Sequence, residues 1–209
     1  MNTILRKGIV VMGVALILAV LIVGTYFPYR KSRAIVAMRT QLSGVATVER
    51  FLGVFEEALA LYSPYGQEEA VRFIGEQLGG AISVQGDPRV TNAIVAYAEK
   101  IFAPLLTASG GTPPTAVVGS GSSPAKNLLF LGGVHQAAWT RTSEAVYANR
   151  SEELYLRCLE ASPRRPECLY ALFRLYESGG RNEQAKLIGE EILRYWPDER
   201  VRELLENSK

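Results

Sequence analysis

This chain is poor in the residues that carry most enzyme chemistry. Among its 209 residues there is one histidine and there are two cysteines. A lone histidine, His135, excludes a histidine-rich metal centre and leaves no evident base for a serine or cysteine nucleophile. It reads as a packing or surface residue in preference to a general base. Cys158 and Cys168 are too few for a disulfide scaffold and lack the CxxC spacing of zinc and redox sites. Two readings stay open for them: small buried residues, or a bridge across a helix turn if the domain is exported.

Charge is missing from two stretches, with different consequences. No charged residue occurs from Gly8 to Tyr29, and as a helix such a run spans roughly 33 Å, enough for a hydrocarbon core. Residues 8–27 are therefore expected to be a transmembrane helix in the lipid bilayer, with Tyr26, Phe27 and Tyr29 as an interfacial belt and Pro28 as a helix exit or kink. A cleaved signal peptide is the competing reading, because Arg6-Lys7 precedes the run. The long core and the absence of a small-x-small site favour an uncleaved anchor. The second stretch, Thr107 to Ala125, lacks both charge and aromatic rings and is rich in Gly, Ser, Pro and Thr. It reads as a linker. Its glycine runs do not make a phosphate loop, since no Lys-Ser/Thr ending follows them.

Acidic residues are absent from residues 1–39, which hold six Lys or Arg, whereas residues 126–209 hold thirteen of each sign. The basic excess is thus juxtamembrane, suited to anionic lipid headgroups, and no basic and aromatic stripe suggests nucleic acid. Arg6 and Lys7 precede the span and Arg30, Lys31, Arg33 and Arg39 follow it, so the flanking charge leans toward a cytoplasmic carboxy-terminal domain. The acidic pairs Glu56-Glu57, Glu68-Glu69, Glu152-Glu153 and Glu190-Glu191 are poor acid/base dyads. Neighbours on a helix point about 100° apart, so these pairs read as solvated faces.

What is present is helical periodicity. Helices are expected from Ser32 to a break at Gly44, from an N-cap at Thr47 through Tyr62, and from Gln67 to a stop at Gly79-Gly80. Another should run from Pro88 to Leu106 behind an Asp87 N-cap, with Pro104 able to shorten it. Between Pro166 and Pro197 the pattern is sharpest. Leu169, Leu172, Leu175 and Tyr176 recur at helical spacing, Gly179-Gly180 interrupts, and Ala185, Ile188, Ile192 and Leu193 resume. Tyr155, Cys158, Leu159 and Pro163 echo Gly189, Ile192, Leu193 and Pro197 at 34 residues, and Leu128, Leu131 and Gly132 belong to the opening helix of that earlier unit. The distance from Leu131 to Tyr155 is about seven residues longer than the repeat allows, and the insertion is expected at Ala138 to Ser143, as an extended helix or a loop. A fainter echo is Phe55, Ala58, Leu59 and Pro64.

These positions resemble a tetratricopeptide repeat: Leu169, Leu172, Tyr176, Gly180, Ala185, Ile192 and Pro197 take its signature places. Phe173 departs from it, standing where a small residue is usual, and so does Gly189, standing where a large aromatic is usual. On a longer scale, Pro28 to Ala34, Phe55-Glu56-Glu57-Ala58-Leu59, Ser63 to Glu68 and Leu128 to Gly132 resemble the tail of bacterial O-antigen ligase and polymerase family proteins. That resemblance implies a last transmembrane helix, a helical hairpin and then tetratricopeptide units. The family's many-helix membrane body and catalytic loop have no counterpart in these residues, so no catalytic residue carries over.

The expected architecture is all-α: an anchor in residues 1–29, a juxtamembrane helical region in 30–106, a linker in 107–125 and a tetratricopeptide-like solenoid in 126–209. The first helices of such arrays line a groove, which by register would present Glu167, Tyr170, Arg174 and Glu177 of the last unit with Lys126, Leu129 and Gln136 of the earlier one. The chain is expected to be a non-enzymatic membrane scaffold that docks a protein partner, a peptide or a helix, without a cofactor. One rival is an accessory tail acting with a separate O-antigen ligase-like glycosyltransferase. Another is a structural subunit assembling through span and repeats.

Overall fold

The computed structural model describes residues 3–42, 47–63, 66–84, 87–107 and 123–207. Most of the Gly/Ser/Pro-rich segment, Gly44 and the Pro64-Tyr65 turn lie outside them. All regular structure among the described residues is helical. They fall into two compact units, one up to Val71 and one from Arg72 onward.

In the first unit α1 (Thr3–Leu21) passes through a π turn (Ile22–Tyr26) into α2 (Phe27–Leu42). The sequence marks Pro28 as an exit or a kink, and the chain continues helically through it. Proline has no N–H and its ring crowds the carbonyl four residues back, and the wide turn just before Pro28 accommodates that misfit. The helical stretch Ile9–Ala37 is long and apolar enough to cross a membrane, with a mean hydropathy of 2.7 over its most apolar window. Its apolar side chains from Ile9 to Val23 are exposed. Beyond the π turn the helix packs on α3 (Val48–Ala60). Phe27 meets Tyr62 edge to face at 5.4 Å, leaving Tyr26 and Tyr29 exposed. The Lys31 ammonium is buried and donates to the Leu61 carbonyl at 3.3 Å and to Gln67. Thr47 caps α3 by accepting from the Arg50 N–H at 3.3 Å.

Helix α4 (Gln67–Val84) runs through Gly79-Gly80, where the sequence pattern predicts a stop. Each helical glycine costs about 1 kcal/mol. Leu78 and Ile82, both fully buried, carry the apolar face past the pair and outweigh that cost.

In the second unit α5 (Pro88–Thr107) packs on α6 (Pro124–Thr142). Helix α5 thus joins the helices beyond the linker segment, although composition divides the chain there. Its Phe102 ring touches the space above Gly75, where an added Cβ would come within 2.9 Å. Helices α6 and α7 (Ala145–Ala161) form one hairpin, and α8 (Pro166–Ser178) and α9 (Asn182–Tyr195) form the next. Helix α6 also packs on α8, and α7 on α8. The extra residues of the first hairpin lengthen α6 to Thr142, and Ser143, at φ 60°, turns the chain. A short α10 (Glu199–Asn207) then packs on α9.

The two hairpins solve the same packing problem with opposite residues. In the first, Gly132 on α6 lies under the Tyr155 ring of α7, where a Cβ would sit 2.5 Å from ring carbon Cε1. In the second, Phe173 on α8 is the large partner and Gly189 on α9 the small one. A Cβ on Gly189 would lie 3.1 Å from Phe173 Cε2 and from both Leu205 methyls. The two departures from the repeat pattern are therefore one compensated exchange of volume, as a close-packed core requires. At the junction between hairpins Cys158 and Cys168, both fully buried, form a disulfide with a Cα–Cα separation of 6.1 Å.

Candidate functional site

A groove of about 1000 Å³ opens on the second unit. It is lined by α6 and α8, the first helices of the two hairpins, together with α4 residues between Gly75 and Ser83, Tyr155 of α7, and Asp198 with the start of α10. Apolar side chains, among them Leu129, Phe130, Val134, Phe173 and Leu204, share the lining with Glu76, Glu167, Glu177, Asp198, Arg174 and Arg200.

Six of the seven residues expected at this surface come together here: Leu129 and Gln136 from α6, and Glu167, Tyr170, Arg174 and Glu177 from α8. Lys126 does not. It is exposed in the first turn of α6, outside the lining. Arg174 is exposed and its Nε donates to the Tyr170 carbonyl one turn earlier at 3.3 Å. The Tyr170 hydroxyl donates to Asp198 at 2.6 Å, which ties α8 to the start of α10. Burial, followed by this bond, raises the phenol to about 12, and the same bond lowers the Asp198 carboxyl. Tyr170 therefore stays a neutral donor and a flat apolar wall at neutral pH, suited to contact rather than proton transfer. Gln136 accepts from the Tyr155 hydroxyl at 2.7 Å, which fixes its amide in the groove lining.

The contribution of Asp198, just before α10, and of Arg200, Val201 and Leu204 within it is absent from the groove drawn by repeat register alone. The repeat ends at Pro197, so register could not supply it. The spacing of Val201, Leu204 and Leu205 among charged residues was the available signal.

The strongest ionisable cluster lies elsewhere, between α5, α6 and α7. His135 Nε2 is 2.9 Å from Glu99 Oε1, and Arg150 donates to the same carboxylate at 3.0 Å while reaching Glu153 at 2.8 Å. The His135 bond first, then Arg150, holds the Glu99 carboxyl down at about 2. His135 is buried and does not line the groove. A carboxylate that stays ionised at neutral pH and holds three helices together fits a structural tie better than an acid or base. Glu152 ties the two hairpins in the same way. It accepts from the Tyr176 hydroxyl and from Arg181 Nη2, each at 2.8 Å, while the Arg181 guanidinium lies 4.4 Å from the Tyr176 ring centre. Among the described residues no group of three or more His, Cys, Asp or Glu side chains is placed to hold a metal ion.

No protein-family model, no curated protein and no solved structure matches this chain.

Proposed function

We propose that this chain is a membrane-anchored helical-repeat scaffold of tetratricopeptide type, which docks a protein partner in the groove of its second unit. The observation that carries the reading is the groove itself. Its walls are the first helices of consecutive hairpins, which is where repeat arrays of this kind hold peptides and helices. The 34-residue echo, the paired hairpins and the complementary exchange Gly132/Tyr155 against Phe173/Gly189 support the repeat assignment. The exposed apolar surface from Ile9 to Val23 supports the anchor, since such a surface is costly in water.

Central Tyr and Arg side chains are the usual hot spots of an interface, at about 2 kcal/mol or more each. The test is a crosslinking pull-down from native membranes with wild-type chain, a Tyr170→Ala/Arg174→Ala variant and a Leu187→Ala control on the exposed face of α9. The groove variant is expected to lose partners that the wild type and the control retain. Equal recovery by all three removes the groove as the docking site. Glycosyl transfer by the purified chain alone overturns the scaffold reading.

A further inference from the structure

We infer that the helical domain beyond the apolar helix lies on the oxidising, extracytoplasmic side of the membrane, where Cys158 and Cys168 are joined, so that the groove meets its partner there. The inference rests on the membrane reading only in that the same apolar helix delivers the domain, as an anchor or as a cleaved signal. The two cysteines are the only ones in the chain. Ten positions apart in sequence, they bridge the turn between α7 and α8 with their Cα atoms 6.1 Å apart, within the range a disulfide spans. Both are fully buried, so the bond, once made, is shielded from small thiols. Persistent structural disulfides belong to compartments that oxidise thiols and are rare in a reducing cytosol. Formation there transfers two electrons and two protons from the Cys158 and Cys168 thiols to a disulfide-donating oxidase, whose own disulfide becomes a dithiol.

The flanking charges lean the other way, two before the span and four after it. A difference of two charges is too small to outweigh a covalent bond between the only two cysteines.

The full chain, expressed in bacterial cells, is quenched in acid, denatured and treated with maleimide-polyethylene glycol before or after reduction. The expected result is no adduct before reduction and two after it, with externally added protease digesting the helical domain in spheroplasts left unlysed. A Cys158→Ser variant, giving one adduct without reduction, confirms that the probe reaches a free thiol. Two adducts on the unreduced wild-type chain overturn the inference, as does a domain that protease reaches only after lysis. Alkaline extraction separates the two readings of the helix. A shortened, extractable chain with the disulfide intact retracts the anchor and leaves the side of the domain as inferred here.

Discussion

Replacing Gly132 by alanine should destabilise the second unit, although alanine is the better helix former. In a free helix the change gains about 1 kcal/mol. Here the new methyl carbon would meet Tyr155 Cε1 at 2.5 Å and Cδ1 at 2.8 Å. That ring has little room to yield. It is 1% exposed, and its hydroxyl is bonded to Gln136 on the same helix as Gly132. The helices must therefore part, and overpacking of this kind costs about 1–3 kcal/mol. Ser151, which donates to the Gly132 carbonyl at 3.0 Å across the same approach, adds a bond that parting would weaken. The net expectation is a loss of ~1–2 kcal/mol, a drop of several degrees in the melting temperature of a domain this size. Gly189→Ala is the internal comparison. Its methyl would meet Phe173 and Leu205 at 3.1 Å, the Leu205 contacts being terminal methyls that can move a few tenths of an ångström. It should melt within about 0.5 kcal/mol of the wild type. Circular-dichroism melts of the detergent-solubilised chain read both variants. A Gly132→Ala chain as stable as the wild type, or more stable, would refute the close-approach argument.

Three other outcomes follow from the same structure. Ala185 is buried in the core of the second hairpin, so Ala185→Leu should cost ~1–3 kcal/mol by overpacking and Ala185→Glu more, read in the same melts. The Glu99 carboxyl, held at about 2 against an ordinary 4.5, stabilises the fold fully above pH ~4.5, and that contribution is lost as pH falls toward 2. The shift is worth about 3 kcal/mol if fully shielded. With 34% of the side chain exposed, screening reduces it to ~1–2 kcal/mol, and Glu99→Gln should flatten that limb of an acid-unfolding series. Amino-terminal sequencing of membrane-extracted protein should recover residues before Gly8, and a mature start after Gly24 would contradict the anchor.

The helices were readable where the apolar spacing was dense. The Thr47 cap, the α5 start at Pro88 and the α8–α9 hairpin follow from residues within one or two turns of each boundary. Gly79-Gly80 misled because a local breaker competes with burial of Leu78 and Ile82, and burial is a property of the packed unit. The exchange of Phe173 and Gly189 was visible only as two departures. Their common cause needs the distance between α8 and α9. Register placed six groove residues together, since side chains on one face of a helix share a neighbour. It could not supply Asp198 or Glu76, because tertiary packing brings α10 and α4 to the groove.

The central claim is that a protein occupies this groove at the membrane. A photo-reactive amino acid placed at Thr140 or at Glu177, both groove positions, and at Leu187 on the exposed face of α9 tests it directly in native membranes. The account predicts the same discrete protein adduct from Thr140 and Glu177 and none from Leu187. Adducts of equal yield at all three positions, or at Leu187 alone, would contradict it.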